Sequence, residues 1–136
     1  MSTPHQRWIA IGALMGAAGV ALGAFGAHGL SDALTGLGYE GTDLIRRAAN
    51  FETAVRYQIY HAITLVLVGM LLGQRPTRAL HFAAGAILVG VILFSGLLYV
   101  LAFAGPSWKW LGAVVPLGGA SLIVGWLALA VGAYKK

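Results

Sequence analysis

Two histidines of this 136-residue chain, His28 and His61, stand in stretches otherwise dominated by apolar and small residues. Near them in the sequence, or at comparable positions in another apolar stretch, are Glu52, Arg56, Tyr57, Gln58, Ser95 and Tyr99. Three uses of such a set compete. Imidazoles from two different helices are an axial pair for a b-type haem, or part of a metal site completed by Glu52. The same imidazoles with Tyr57 and Tyr99 would make a proton relay, because histidine changes charge near neutral pH. The third use is structural. His28 would meet the free carbonyls where the first helix ends, with Gly29 as a left-handed C′ residue and Leu30 as the apolar C″ residue, and His61 would donate across helices. The structural use leads, since polar bonds between packed helices are common and cofactor sites rare. Proton or ion handling comes second and a cofactor third, so neither a cofactor nor a metal is assigned. His81 follows "RPTRAL" at an interface, and His5 lies in a terminal tail.

The absence of cysteine excludes disulfides and thiolate chemistry. "GALMGAAGVALGAFG" is rich in glycine but lacks the strand and polar loop of a nucleotide site. There is no nucleophile with its base and no metalloprotease helix, so enzymatic chemistry is not expected.

The elements that must carry these side chains follow from composition. The chain is 59% hydrophobic and 10% charged, with a mean hydropathy of +0.82, whereas a soluble domain is roughly 25% charged. The charges leave four free windows, 8–31, 57–74, 79–108 and 110–134. About 20 apolar residues cross a bilayer as a helix, and the windows lack the alternation of a lipid-exposed barrel. The expected fold is all-α and polytopic, a single domain of four transmembrane helices over about 8–30, 54–73, 79–104 and 110–134. The first window is longer than the apolar core of a signal peptide and is expected to stay as a span. Within "TDLIRRAANFETAV", Leu44, Ala48, Phe51 and Val55 recur at 4-3-4 spacing, with Arg46, Arg47 and Asn50 elsewhere on the wheel. That predicts an amphipathic helix over about 42–53, lying in the interface or running straight into the second span.

On the second span Glu52 and Arg56 form an i,i+4 pair, while Tyr57, His61 and Thr64 take roughly the opposite side with Gln58 on the flank. On the third, His81, Gly85, Leu88, Ile92, Ser95 and Tyr99 share a heptad-like stripe. Four spans put both termini on one side, with Arg7, Arg75, Arg78, Lys135 and Lys136. The other side carries Arg46, Arg47, Arg56 and Lys109, along with the four acids. The bias in basic residues favours cytoplasmic termini. The net charge of +5 is scattered over helix ends, which suits lipid headgroups and membrane topology rather than nucleic acid.

Gly12, Gly16, Gly19, Gly23 and Gly26 are spaced 4-3-4-3, and Gly118, Ser121, Gly125, Ala128 and Gly132 are spaced 3-4-3-4. Lipid gives helices no hydrophobic reason to associate, so small residues that admit close backbone contact are the expected packing surfaces. Tight packing inside one bundle is the leading reading, and a subunit interface or pore wall the alternative.

"GAFGAHGL", "ANFETAVRYQIYHA", "FSGLLYVL" and "GAVVPLGGASLIVGW" together resemble the YgdD-like family, small four-helix membrane proteins of bacteria with mitochondrial relatives and of unassigned function. The likeness spans nearly the whole chain in order. It departs where the family reads T-P-I-G-G and this chain has Val115, Pro116, Leu117, Gly118 and Gly119, which removes a threonine hydroxyl. The resemblance implies an inner-membrane location and four spans. It singles out His28, Glu52, Tyr57, Gln58, His61, Ser95, Tyr99 and Pro116. The expectation is a structural or accessory integral inner-membrane protein. It would be homo-oligomeric or part of a larger membrane complex, with membrane lipids as its other partners. A small oligomeric channel or transporter is the first alternative, and a haem-binding or redox subunit the second.

Overall fold

A computed structural model describes residues 3–134, among which every regular element is helical. Lys135 and Lys136, counted above for orientation, lie outside the described residues. α1 (Pro4–His28) begins with proline at its first turn, where a missing N–H has no intrahelical partner to lose, and the Thr3 N–H donates to Gln6 Oε1 at 3.0 Å. α2 (Leu30–Gly36) follows after one residue, and α3 (Gly41–Gln74) is 34 residues long. α4 (Arg78–Val91) is capped by Thr77, whose Oγ1 accepts from the Leu80 N–H at 3.2 Å. A five-residue π turn (Ile92–Gly96) joins it to α5 (Leu97–Phe103). A 3-10 segment (Pro106–Ala113) leads into α6 (Val115–Tyr134). Four stretches are long and apolar enough to cross a membrane: Pro4–His28, Gly41–Gln74, Arg78–Phe103 and Pro106–Tyr134. The fold is all-α and polytopic, as composition predicts.

The local geometry departs from the expected boundaries in ways that have physical causes. No proline or glycine interrupts 42–68, so the amphipathic stretch and the second span form one unbroken helix. At 1.5 Å per residue α3 reaches about 51 Å against about 30 Å of hydrocarbon, so it crosses the bilayer and projects beyond it. The chain reversal expected at Gly29 is displaced. Gly29 has φ −126° rather than a left-handed value, and helix resumes at Leu30. The left-handed residues are Gly38, at φ +86°, and Gly41, at φ +56°, one short helix later. The fourth span enters through the 3-10 winding, and α-helix starts only at Val115.

α1 packs along α3 and α6 along α4, and α3 joins the two pairs through α4 and α5. Each pair is closed by one of the small-residue stripes. A methyl group placed on Gly12 would lie 2.7 Å from Ala62 O, and one on Gly19 would lie 2.7 Å from Ile59 Cγ1. On the other pair, a methyl on Gly118 would lie 2.5 Å from Phe94 N and one on Gly125 2.7 Å from Ile87 Cγ1. Gly23 faces Val55 and Gly26 faces Phe51, while Gly16 is looser, since a methyl there would lie 3.9 Å from Ala62 Cβ. The Ser121 hydroxyl donates to Ala86 O at 2.8 Å. Both stripes therefore hold helices of the same chain together.

Two apolar clusters divide the interior. One joins Leu65, Val68 and Leu72 of α3 to Leu80, Ala84 and Ile87 of α4. The other brings Leu30 and Leu34 of α2 onto Phe51 and Ala102, so α2 covers the end of the bundle away from the termini. Along α3, Gln58, His61 and Thr64 fall between these clusters and are buried. Large apolar side chains such as Leu14, Ile63, Leu117 and Ile123 are exposed and face lipid in a chain of this class.

Candidate functional site

Gln58 is 8% exposed and binds two other helices at once. Its Nε2 donates to Met15 O of α1 at 2.9 Å, and its Oε1 accepts from the Tyr99 hydroxyl of α5 at 2.9 Å. A side-chain amide carries both a donor and an acceptor, so one residue serves both neighbours. The Met15 carbonyl is reachable because Gly12 and Gly19 let α1 lie close to α3.

His61, one turn further on, is 5% exposed. Trp126 Nε1 of α6 donates to His61 Nε2 at 3.2 Å, and His61 Nδ1 lies 2.7 Å from Tyr57 O in the preceding turn. An indole N–H can only donate and a carbonyl can only accept, so Nε2 presents its lone pair and Nδ1 carries the proton. The ring is thus a neutral imidazole with both nitrogens engaged. Neither is left to ligate iron or another metal without breaking a contact between helices. Tyr57 stacks on the ring with centroids 5.9 Å apart and meets Phe94 at 4.6 Å.

The remaining residues of the expected cluster separate. Arg56 pairs with Glu52 on the exposed face of α3. His28 is exposed at the end of α1 and makes no hydrogen bond among the described residues, so the carbonyl-capping role expected of it is not formed. Instead the Gly29 N–H donates to Phe25 O at 2.8 Å. Ser95 is 1% exposed, and its Oγ has no partner among the described residues. On the third span Leu88, Ile92, Ser95 and Tyr99 of the expected stripe line one groove. The π turn adds a residue to the helical repeat there, and within that groove Ile92 is 59% exposed while Ser95 is buried. Among the described residues no three histidine, aspartate or glutamate side chains come close enough to hold a metal.

The most heavily bonded polar side chain was assigned by the helical wheel only to the polar side of the amphipathic stretch. Arg47 is 5% exposed. Its Nη1 donates to Leu101 O, Ala102 O and Ala104 O at 3.2, 3.0 and 2.9 Å, and its Nε to Asp43 Oδ2 at 3.0 Å. Its guanidinium carbon lies 3.5 Å from the Tyr39 ring centroid, and the Tyr39 hydroxyl donates to Phe103 O at 3.1 Å. Arg47 and Tyr39 together satisfy the carbonyls that α5 leaves free at its end, where the helix dipole is negative. The signal available in sequence was "AFAGPS": a helix ended by glycine and proline needs donors for its last carbonyls.

Apolar spans tied to one another by a buried amide, an imidazole and a guanidinium define a polytopic membrane protein of four spans. The family profile described as "Protein of unknown function (DUF423)" matches residues 22–119. A UPF0382 membrane protein of Staphylococcus haemolyticus is 36% identical over 130 residues, covering 96% of this chain and 97% of its own. Another from Haemophilus influenzae is 35% identical, covering 96% of each chain. The YwdK protein of Bacillus subtilis, also a UPF0382 membrane protein, is 36% identical, covering 94% of this chain and 96% of its own. The chain therefore belongs to this family of membrane proteins of unknown function, the kind of family its motifs imply. No solved structure matches it.

Proposed function

We propose that this chain is a structural or accessory component of the bacterial inner membrane, with both termini in the cytoplasm and no reaction of its own. The observation that supports this is the bonding of Gln58 and His61. Their polar atoms already pair with Met15, Tyr99, Tyr57 and Trp126, across three neighbouring helices and within α3 itself. A proton relay needs groups free to exchange partners, and a haem needs an imidazole nitrogen with a free lone pair. The bacterial relatives carry membrane-protein names, which supports a membrane setting.

The test is flux through liposomes containing the purified chain, with its visible absorption recorded in the same preparation. The expected result is no flux above empty liposomes, no haem band, and a lower melting temperature for His61→Ala. Flux in the wild type that His61→Ala abolishes while the protein stays folded would overturn the reading in favour of a channel. A stoichiometric haem band would overturn it in favour of a redox subunit. The same proposal has the chain acting as a homo-oligomer or within a larger membrane complex. It draws support from α1, where only Gly12 and Gly19 are buried and the outer surface is open. Native mass spectrometry from a mild detergent, alone and after co-purification, tells these assemblies from a bare monomer.

A further inference from the structure

On the side away from the termini, a cavity of about 230 Å³ opens between the start of α3 and the 3-10 segment. Arg46, Arg47, Asn50 and Lys109 supply its polar wall, and Leu101 and Ala104 an apolar one. Three cations therefore converge against the single carboxylate of Asp43, which pairs with both arginines. Lys109 has no ion pair or hydrogen bond among the described residues. Arg47 is fixed in place by its bonds to the α5 carbonyls, while its Nη2 makes none among the described residues. A held guanidinium with a free edge, a second arginine and an exposed ammonium match the oxygens of a phosphate. Trp108 and Trp110, on either side of Lys109, are 51% and 62% exposed, as indoles at headgroup depth are. Three positive charges against the one carboxylate of Asp43 leave a local excess that attracts an anion, and the apolar wall suits the carbon skeleton attached to a phosphate.

We propose that this pocket binds a phosphate group at the membrane surface, carried by an anionic phospholipid or arriving as free phosphate. Arg46 and Lys109 supply the charge, Asn50 a neutral donor, and Arg47 the fixed floor.

The test is native mass spectrometry of the full chain in mild detergent, titrated with phosphatidylglycerol, with phosphatidylcholine, and separately with inorganic phosphate. Phosphatidylcholine is the control because its choline cation offsets its phosphate. Phosphatidylglycerol should be retained in preference. Lys109→Gln and Arg46→Gln should each lower that retention about fivefold, the effect of one cation near an anionic surface, and Lys109→Arg should restore it. Arg46 and Lys109 are exposed, so unchanged melting temperatures are expected and separate lost binding from lost folding. Arg56→Gln, on the same helix but outside the pocket, should leave retention as in the wild type. If inorganic phosphate binds with the same dependence on Lys109 and Arg46 and displaces the lipid, the source is the free anion. If it does not, the source is the lipid. Equal retention of both lipids with no phosphate adduct would overturn the proposal. So would a loss in Arg56→Gln matching that in Lys109→Gln, which would make the effect one of general surface charge.

Discussion

Gln58 and Tyr99 show how a single polar side chain at membrane depth acts through its partners. Tyr99→Phe removes the donor to Gln58 Oε1, and Gln58→Leu removes that bond together with the one to Met15 O. Interhelical polar bonds in membranes average about 0.6 kcal/mol and reach about 1.7. Thermal unfolding in detergent should therefore rank Gln58→Leu below Tyr99→Phe, and the double variant should cost less than the two losses added. Full additivity would mean that the Gln58–Tyr99 bond contributes nothing. Arg47 is a harsher case, because removing it leaves three carbonyls of Leu101, Ala102 and Ala104 without a donor. Arg47→Met is expected to cost about 3 kcal/mol, in the range for breaking a buried charge-assisted network. Arg47→Lys should recover only part of it, since an ammonium lacks the planar fork. Full recovery with lysine would show that charge, rather than geometry, closes the end of α5.

Helix against helix, the small-residue stripes make position-specific demands that look identical in the sequence. A methyl on Gly12 would lie 2.7 Å from Ala62 O and one on Gly118 2.5 Å from Phe94 N, both backbone atoms that cannot turn aside, whereas one on Gly16 would have 3.9 Å to its nearest neighbour. Gly12→Ala and Gly118→Ala should each destabilise by about 1–3 kcal/mol, the cost of overpacking a close contact. Gly16→Ala should be neutral or stabilising by up to about 1 kcal/mol from helix propensity. Melting curves of the three variants check this ordering. Gly118 also has a particular partner: the π turn at Ile92–Gly96 presents the backbone of Leu93 and Phe94 to α6, and only a residue without a side chain fits there. That pairing was not legible beforehand, because glycine spacing reports a stripe but not the backbone it meets.

The assembled chain sets up a test of orientation. It contains no cysteine, so one introduced thiol reports alone. Ser107 lies on the side away from the termini and Pro76 on theirs, and both are exposed. With cytoplasmic termini, Ser107→Cys should react with an impermeant maleimide on intact cells, after outer-membrane permeabilisation where there is one. Pro76→Cys should react only once the inner membrane is opened, and the opposite pattern would reverse the orientation. The phosphate pocket would then face the cytoplasm with its chemistry unchanged.

Composition and the spacing of charges were enough to establish an all-helical chain with four spans, and glycine spacing was enough to mark which helix faces pack. These are properties of single segments: solvation of a backbone in lipid and the periodicity of one helix. Contacts between segments needed the folded chain. His28 and His61 read as a possible pair, yet His61 bonds to Trp126 while His28 stays outside. Arg47 read as one of several cations on a wheel, yet it closes a helix whose nearest bonded carbonyl is 54 positions away in the chain. The π turn at Ile92–Gly96 holds a buried Ser95 beside an exposed Ile92, a local winding that residue spacing does not announce. Long-range partners and small changes of helical register depend on how whole helices dock. That docking is decided by the summed packing of many residues, which no local pattern contains.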